Sequence, residues 1–299
     1  MKKDIKYYVE KIIKEKITKM TICSKLTWKN IVYYCETDKK KYAVKVYKKN
    51  DSAYIRHSVE IAMYKIFLNM KINVPKIYYY GELEEYYILI NEWVEAISLK
   101  KMVNNNGIIQ NKNKLKCLLE NYKSIWNLNI SDKTRDLLRV NTLENYNTPS
   151  MIYTRIEVNE EDMFLKFKEI EHINEIHKIY DKLKKEINPK KYIINSDISL
   201  HEVLVKENNF FLIDFESFTI GDINNDLAGI FYSLSNSILD KENEIKCLME
   251  TIRENEYFAP NIFLVYLIER IFCANYLDTI NKNEIDFYIN FILNKRHMI

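Results

Sequence analysis

Tyr192-Ile-Ile-Asn-Ser-Asp-Ile-Ser-Leu-His-Glu-Val-Leu-Val-Lys-Glu-Asn-Asn-Phe-Phe-Leu-Ile-Asp-Phe-Glu216 is a β-rich island in a chain that reads as mostly helical beyond Glu95. Asp197 ends a short apolar strand, and Glu202 follows five positions later. Val203-Leu-Val205 and Phe210-Phe-Leu-Ile213 read as a hairpin turned by Glu207-Asn-Asn209. Asp214 leaves the second of these strands directly. Two carboxylates at the mouth of a small hairpin can face one cleft.

Outward from this island, the N-terminal third mixes helix and strand. Ile5, Tyr8, Val9, Ile12, Ile13 and Ile17 recur at helical spacing and predict an amphipathic helix over residues 1–20. Asn30–Thr37 and Lys41–Tyr47 are β-branched and aromatic runs separated by Asp38-Lys-Lys40, which predicts a hairpin. Arg56–Met70 returns to helical period, with Val59, Met63, Ile66 and Phe67 on one face. After Pro75, Lys76–Tyr80 and Tyr86–Asn91 read as two more strands turning at Gly81–Glu85. Residues 98–104, 112–128, 160–187 and 223–299 read as helical. The composition shift at Glu92–Ala96 marks a hinge, giving expected divisions at 1–91, 92–95 and 96–299.

Bulk composition narrows the function classes. The chain has 299 residues, 47% hydrophobic and 29% charged, enough for a sizeable core and unlike a disordered segment. A net charge of +3, with lysines dispersed among acids, does not predict a nucleic-acid partner. No stretch approaches the roughly 18 consecutive apolar residues of a membrane span, and the charged N-terminus does not read as a signal peptide. The expectation is a cytoplasmic protein with no membrane partner. Five scattered cysteines without a CxxC pair predict free thiols. Four glycines, where average usage gives about 20, leave no glycine-rich phosphate loop.

The carboxylates acquire a chemical reading from what phosphoryl transfer demands. One carboxylate orients the attacking hydroxyl or accepts its proton, and another holds Mg²⁺ against the nucleotide phosphates. A second piece lies in the N-terminal part. Tyr42-Ala-Val-Lys45 puts a lysine inside an apolar strand, and Glu60 follows fifteen residues later within a predicted helix. Such a pair would position the ammonium against phosphate oxygens. The same lysine would also fit the wet face of an alternating strand.

Taken in order and spacing, these segments resemble the aminoglycoside phosphotransferase and choline kinase branch of the protein-kinase-like superfamily, over nearly the whole chain. Tyr-Ala-Val-Lys45 and Glu60 resemble its strand lysine and helix glutamate. Asn73-Val-Pro75 to Tyr80-Gly81, then Tyr87–Leu99, are similar to its last N-lobe strands and hinge. Asn195-Ser-Asp197 resembles its catalytic loop, Ile213-Asp-Phe-Glu216 its metal loop, and Gly221-Asp222 with Asp226-Leu-Ala228 its trailing motif.

The resemblance implies an α+β, two-lobed protein-kinase-like fold, with a small antiparallel-sheet N-lobe and a larger, mainly helical C-lobe. It implies transfer of a γ-phosphate from ATP or GTP to a hydroxyl of a small molecule such as an aminoglycoside, choline or sugar. Asp197 would be the catalytic base, Asp214 and Glu202 the Mg²⁺ ligands, and Lys45 with Glu60 the phosphate anchor. The backbone of Glu92, Trp93 and Val94 would hydrogen-bond the base. Thr27 and Asn30 would meet phosphate, with Lys29 adding charge and Trp28 packing. Asp226 would support the catalytic loop.

Three departures accompany the resemblance. Asn195 stands where the family has histidine, Glu202 where it has asparagine, and the stretch Ser24–Asn30 lacks glycine. They motivate the alternative of a catalytically degenerate pseudokinase serving as a binding or scaffold protein, for example in a spore coat. His201 reads as a surface residue. Glu157, Glu160, Glu161 and Asp162 read as a charged helix start that could attract a cationic acceptor.

Overall fold

The computed structural model describes residues 2–23, 30–141, 164–187, 192–207, 209–238, 241–277 and 281–294. The chain divides into two compact units, Met1–Ala96 with Leu204–Glu216, and Ile97–Val203 with Ser217–Ile299.

The first unit is an antiparallel five-stranded sheet with a helix on each face. Its elements are α1 (Lys2–Ile13), β1 (Lys19–Ile22), β2 (Ile31–Glu36), β3 (Lys41–Lys48), α2 (Asp51–Asn69), β4 (Ile77–Leu83) and β5 (Tyr86–Glu92). The strand order is β1-β2-β3-β5-β4. The opening helix is shorter than its periodicity predicts. It stops at Ile13, Lys14 takes a left-handed φ of 57°, and Ile17 is buried outside any helix. The residues that follow pair instead with β2, from Lys19 opposite Glu36 to Ile22 opposite Tyr33.

The β2–β3 hairpin forms as predicted, closed where the Thr37 N–H donates to the Lys40 carbonyl at 2.9 Å. The second helix begins five residues before Arg56, because the Asn50 side chain accepts from the Ala53 N–H at 2.7 Å and caps it. Strand β4 runs through Gly81 to Leu83, so the turn is only Glu84-Glu85 rather than Gly81–Glu85. Against α1, the sheet buries Tyr33, Cys35, Val44, Val46, Ile88 and Ile90 with Ile5 and Val9. Against α2 it presents the alternate positions of β3 and β5, over Val59, Met63 and Phe67.

Strands β8 (Val203–Lys206) and β9 (Asn209–Leu212) come late in sequence, yet Leu204–Glu216 clusters with the first unit. The Leu212 N–H donates to the Asn73 carbonyl at 3.1 Å. Phe215 meets Tyr64 and Phe67 edge-on, with ring centroids 4.5 and 4.9 Å apart.

The second unit is mainly helical. It holds β6 (Ile97–Ser98), α3 (Leu99–Trp126), α4 (Asp132–Asn141), α5 (Ile173–Leu183), β7 (Tyr192–Asn195), β10 (Phe218–Gly221), α6 (Ile223–Ser235), α7 (Glu242–Arg253), α8 (Pro260–Leu277) and α9 (Lys282–Asn294). The two helices predicted over 98–104 and 112–128 are one kinked element, broken at Gly107 with φ 77° and ψ 172°. Within the predicted helix over 160–187, His172 takes a left-handed φ of 62° and α5 begins only at Ile173. Strand β10, a continuous buried run without alternation, was not predicted and pairs antiparallel with β7. Cys23, Cys35, Cys117 and Cys247 form no disulfide among the described residues. Among the described residues no helix is long and apolar enough to cross a membrane.

Candidate active site

Alternation along β3 decides where its lysine points. Lys45 lies opposite Val32 of β2 and Leu89 of β5, and Ala43 lies opposite Asn91. Directly opposed residues share a sheet face, so Ala43, Lys45, Leu89, Asn91 and Val32 all project to the side of α2. Lys45 is therefore not on a wet face; it is 7% exposed.

The ammonium has three carboxylate partners. Its Nζ lies 3.0 Å from Glu60 Oε2, 2.6 Å from Asp214 Oδ1 and 3.1 Å from Glu216 Oε2. Glu60 comes from the middle of α2 and is 1% exposed. The end of the β8–β9 hairpin supplies the other two. Asp214 adopts φ 64°, a left-handed conformation that Asp tolerates better than most side chains. That turn sends Phe215 into the core and brings Glu216 back to the lysine.

Further groups enclose the cluster. Tyr47 donates a hydrogen bond to Glu60. Arg56 Nη1 stands 4.0 Å from Glu216 Oε1, and Asn30 Nδ2 donates to Glu216 Oε2 at 2.7 Å. Burial opposes the charge on Lys45, but Asp214, Glu216 and Glu60 outweigh it and hold its pKa well above the ordinary lysine value. Burial raises the Glu60 pKa as well, up to about 7, because one ammonium cannot compensate three crowded anions.

Beside this cluster lies a cavity of about 210 Å³, several times the roughly 30 Å³ share of one water molecule. Val32 and Ala43 line it from the sheet, Leu204 and Ile213 from the late hairpin, and Lys45 and Asp214 at its polar end. Glu92, Trp93 and Val94, expected to hold a base, also line it. The Trp93 N–H donates to the Lys41 carbonyl at 3.1 Å and its ring meets Tyr34 edge-on, which anchors that segment to the sheet. Mostly apolar walls with a few convergent polar groups are the usual make-up of a small-molecule site.

Asp197 and Glu202 lie on the second unit. Strand β7 delivers Asn195 and Ser196 into a turn held from several sides. Asp226, in the first turn of α6, accepts from the Asn195 N–H at 3.1 Å and from Trp126 Nε1–H at 2.8 Å. Arg270 Nη2 donates to the Ser196 carbonyl at 3.1 Å and to Asn225 Oδ1 at 2.7 Å. The Ser196 hydroxyl donates to the Ser217 carbonyl at 2.9 Å. Asn195 Oδ1 accepts from the Asp197 N–H at 3.4 Å, so asparagine braces the turn from within. Asp197 and Glu202 are half-buried and His201 is exposed. Burial raises Asp226 to about 7 against the opposing pull of Trp126, Asn195 and Arg270.

Glu216, Arg56, Tyr47, Trp126 and Arg270 belong to these networks and were not singled out from sequence. Thr27, Trp28, Lys29 and the acidic group Glu157, Glu160, Glu161 and Asp162 lie outside the described residues.

No protein-family model matches the chain, and no curated protein matches it in sequence. Solved structures match it in fold. Spectinomycin phosphotransferase APH(9)-Ia in complex with ADP and spectinomycin superposes with a TM-score of 0.64 at 15% identity, over 99% of this chain and 98% of that one. Aminoglycoside phosphotransferase APH(4)-Ia gives 0.59 at 11% identity, over 100% and 99%. ADP-bound APH(2'')-Ib gives 0.54 at 16% identity, over 100% and 99%. At such identities the likeness is one of architecture: this chain carries the kinase-like fold of the aminoglycoside phosphotransferases.

Proposed function

We propose that the protein is a nucleotide-dependent phosphotransferase that moves a γ-phosphoryl group to a hydroxyl of a small molecule. The observation that carries this reading is Lys45, buried at the polar end of an apolar cavity and held by Glu60, Asp214 and Glu216. A cavity of this kind suits a flat base, and a fixed cation suits the phosphates attached to it.

Each role rests on this chain's own groups. The backbone of residues 92–94 holds the base, and Lys45 holds phosphate oxygens while Glu60 fixes its direction. Asp197 accepts the proton of the acceptor hydroxyl. The carboxylate oxygens of Glu60, Asp214 and Glu216 lie within 4.8 Å of one another, and hard oxygen donors of this type suit Mg²⁺. Asp214 would hold the ion; Glu202 is the second ligand that the sequence suggests, and Glu216 is favoured by its carboxylate oxygen lying within 4.8 Å of that of Asp214. Bound Mg²⁺ would neutralise charge on the β- and γ-phosphate oxygens.

The acceptor belongs to the aminoglycoside, choline and sugar class. The spectinomycin-bound structure with the same fold places aminoglycosides first in a panel. Turnover is expected with Mg²⁺ and ATP or GTP, and a loss of at least about 10²-fold in Asp197→Ala, in the range for removing a general base. Full turnover in that variant would sink the mechanism.

A second reading, a nucleotide-binding or scaffold protein without turnover, is favoured by the three carboxylates already around Lys45, at least one of which incoming phosphate must displace. It expects tight nucleotide binding by calorimetry and no phosphate transfer to any acceptor tried.

A further inference from the structure

Gly229 lies in the middle of α6, where glycine is a poorer helix former than alanine. It does not take the positive φ that glycine accepts readily, so no backbone conformation requires it there. The requirement is space. A Cβ added at Gly229 would stand 2.6 Å from Arg270 Cζ and would collide with Ile198 Cγ2. Ile198 is 4% exposed and Arg270 2%, so neither side chain can swing into solvent to make room. In a chain with four glycines, one is kept where two buried side chains close over a helix backbone.

The contact belongs to a stripe. Asp226, Gly229 and Ser233 recur at intervals of three and four, which sets them on one face of α6. Each meets a successive part of the segment that carries Asp197. Asp226 accepts from the Asn195 N–H at 3.1 Å, Gly229 receives Ile198, and Ser233 Oγ accepts from the Leu200 N–H at 3.2 Å. Arg270 of α8 reaches the same place, donating to the Ser196 carbonyl at 3.1 Å and to Asn225 Oδ1 at 2.7 Å. Both neighbours of Asp197 are therefore seated, Ser196 by Arg270 and Ile198 on the bare backbone at Gly229. All of these residues belong to the second unit.

We infer that Gly229 is a positioning residue for phosphoryl transfer, its missing side chain letting residues 195–200 lie close on α6 and so placing the Asp197 carboxylate. The inference rests on the reading of Asp197 as the group that takes the acceptor's proton. A methyl group at position 229 would lift Ile198 while Asp226 and Ser233 still pin the two ends of the segment, so the displacement falls on Asp197. A general base must lie within hydrogen-bond reach of its proton, and a misplacement of about 1 Å from a remote substitution can cost about 10²-fold. A glycine kept for packing alone would be felt in stability, with turnover per folded molecule unchanged.

The test is steady-state ADP formation from ATP by the full chain with Mg²⁺, offered spectinomycin, choline and glucose in turn and normalised to the folded fraction by circular dichroism. The wild type is expected to turn over with at least one of these acceptors. Gly229→Ala is expected to lower kcat about tenfold to a hundredfold. Its KM for ATP should stay within about twofold, because the residues lining the nucleotide cavity belong to the first unit. Adding Ile198→Ala, which deletes the Cγ2 that the new methyl meets, should raise kcat about threefold or more over Gly229→Ala alone. Wild-type kcat in Gly229→Ala, a loss carried by KM for ATP instead, or no recovery in the double variant would each overturn the role of Gly229 and leave the phosphotransferase reading standing. If Gly229→Ala does not fold, Ser233→Ala decides. It releases one pinned end of the segment and should lower kcat about threefold or more at unchanged KM for ATP, and wild-type kcat there overturns the inference. No ADP from the wild type with any of the three acceptors would overturn the phosphotransferase reading and this inference together.

Discussion

Lys45 shows how one side chain can be legible in sequence while its setting is not. A lysine within Tyr42–Tyr47 and a glutamate fifteen residues on already suggested a pair, and the two lie 3.0 Å apart. Glu216 was quoted as part of a motif but given no role, although it lies 3.1 Å from the same ammonium and is also bonded by Asn30. An acid two residues beyond Asp214 was the available signal. Its direction depends on the left-handed turn at Asp214, which alternation does not reveal. Replacing Lys45 by Met would leave Glu60 buried without its cation. Breaking a buried pair from one side costs about 3 kcal/mol or more, so Lys45→Met is expected to lower the urea midpoint. Adding Glu60→Leu should recover part of that loss. A single variant as stable as wild type would show that the cluster is not held by its charge.

At the scale of elements, long periodic segments were readable, and errors gathered where the backbone leaves a regular conformation. The helical pattern ran past Ile13 because Ile17 is buried, yet Lys14 had already turned the chain out of the helix. The gap between the helices predicted over 98–104 and 112–128 has a defined cause. Gly107 takes φ 77° and ψ 172°, a region open essentially to glycine alone. There Glu244 of α7 accepts from the backbone N–H groups of Ile108 and Ile109, capping the second half of α3. An added Cβ at Gly107 would stand 2.5 Å from the Glu244 carboxylate. Gly107→Ala is therefore expected to cost about 1–3 kcal/mol in chemical denaturation. Glu244→Ala, which removes only the cap, should cost about 1 kcal/mol. Equal stability of Gly107→Ala and wild type would rule out strain at the kink.

For the whole molecule, the buried Asp226 joins α3, β7 and α6 through Trp126 and Asn195, and its charge state enters global stability. Its pKa rises from an ordinary 3.8 to about 7 on folding, because burial disfavours the anion. The native state thus holds this proton more tightly than the unfolded chain. The contribution is full below about pH 4, is lost as pH rises towards about 7, and is flat beyond. Urea midpoints measured from pH 5 to pH 8 are expected to fall, by the order of 2 kcal/mol in stability from this group. Asp226→Asn should flatten that decline, and an undiminished slope in the variant would assign the effect elsewhere. By itself, the sequence determined the main strands and helices, the order of motifs and the candidates Lys45, Glu60, Asp197 and Asp214, because periodicity and residue chemistry are local properties. Only the tertiary structure decided that residues 204–216 cluster with the first 96 and that three carboxylates share one ammonium. Those facts depend on hydrogen bonds and packing between segments far apart in the chain, and no local pattern carries them.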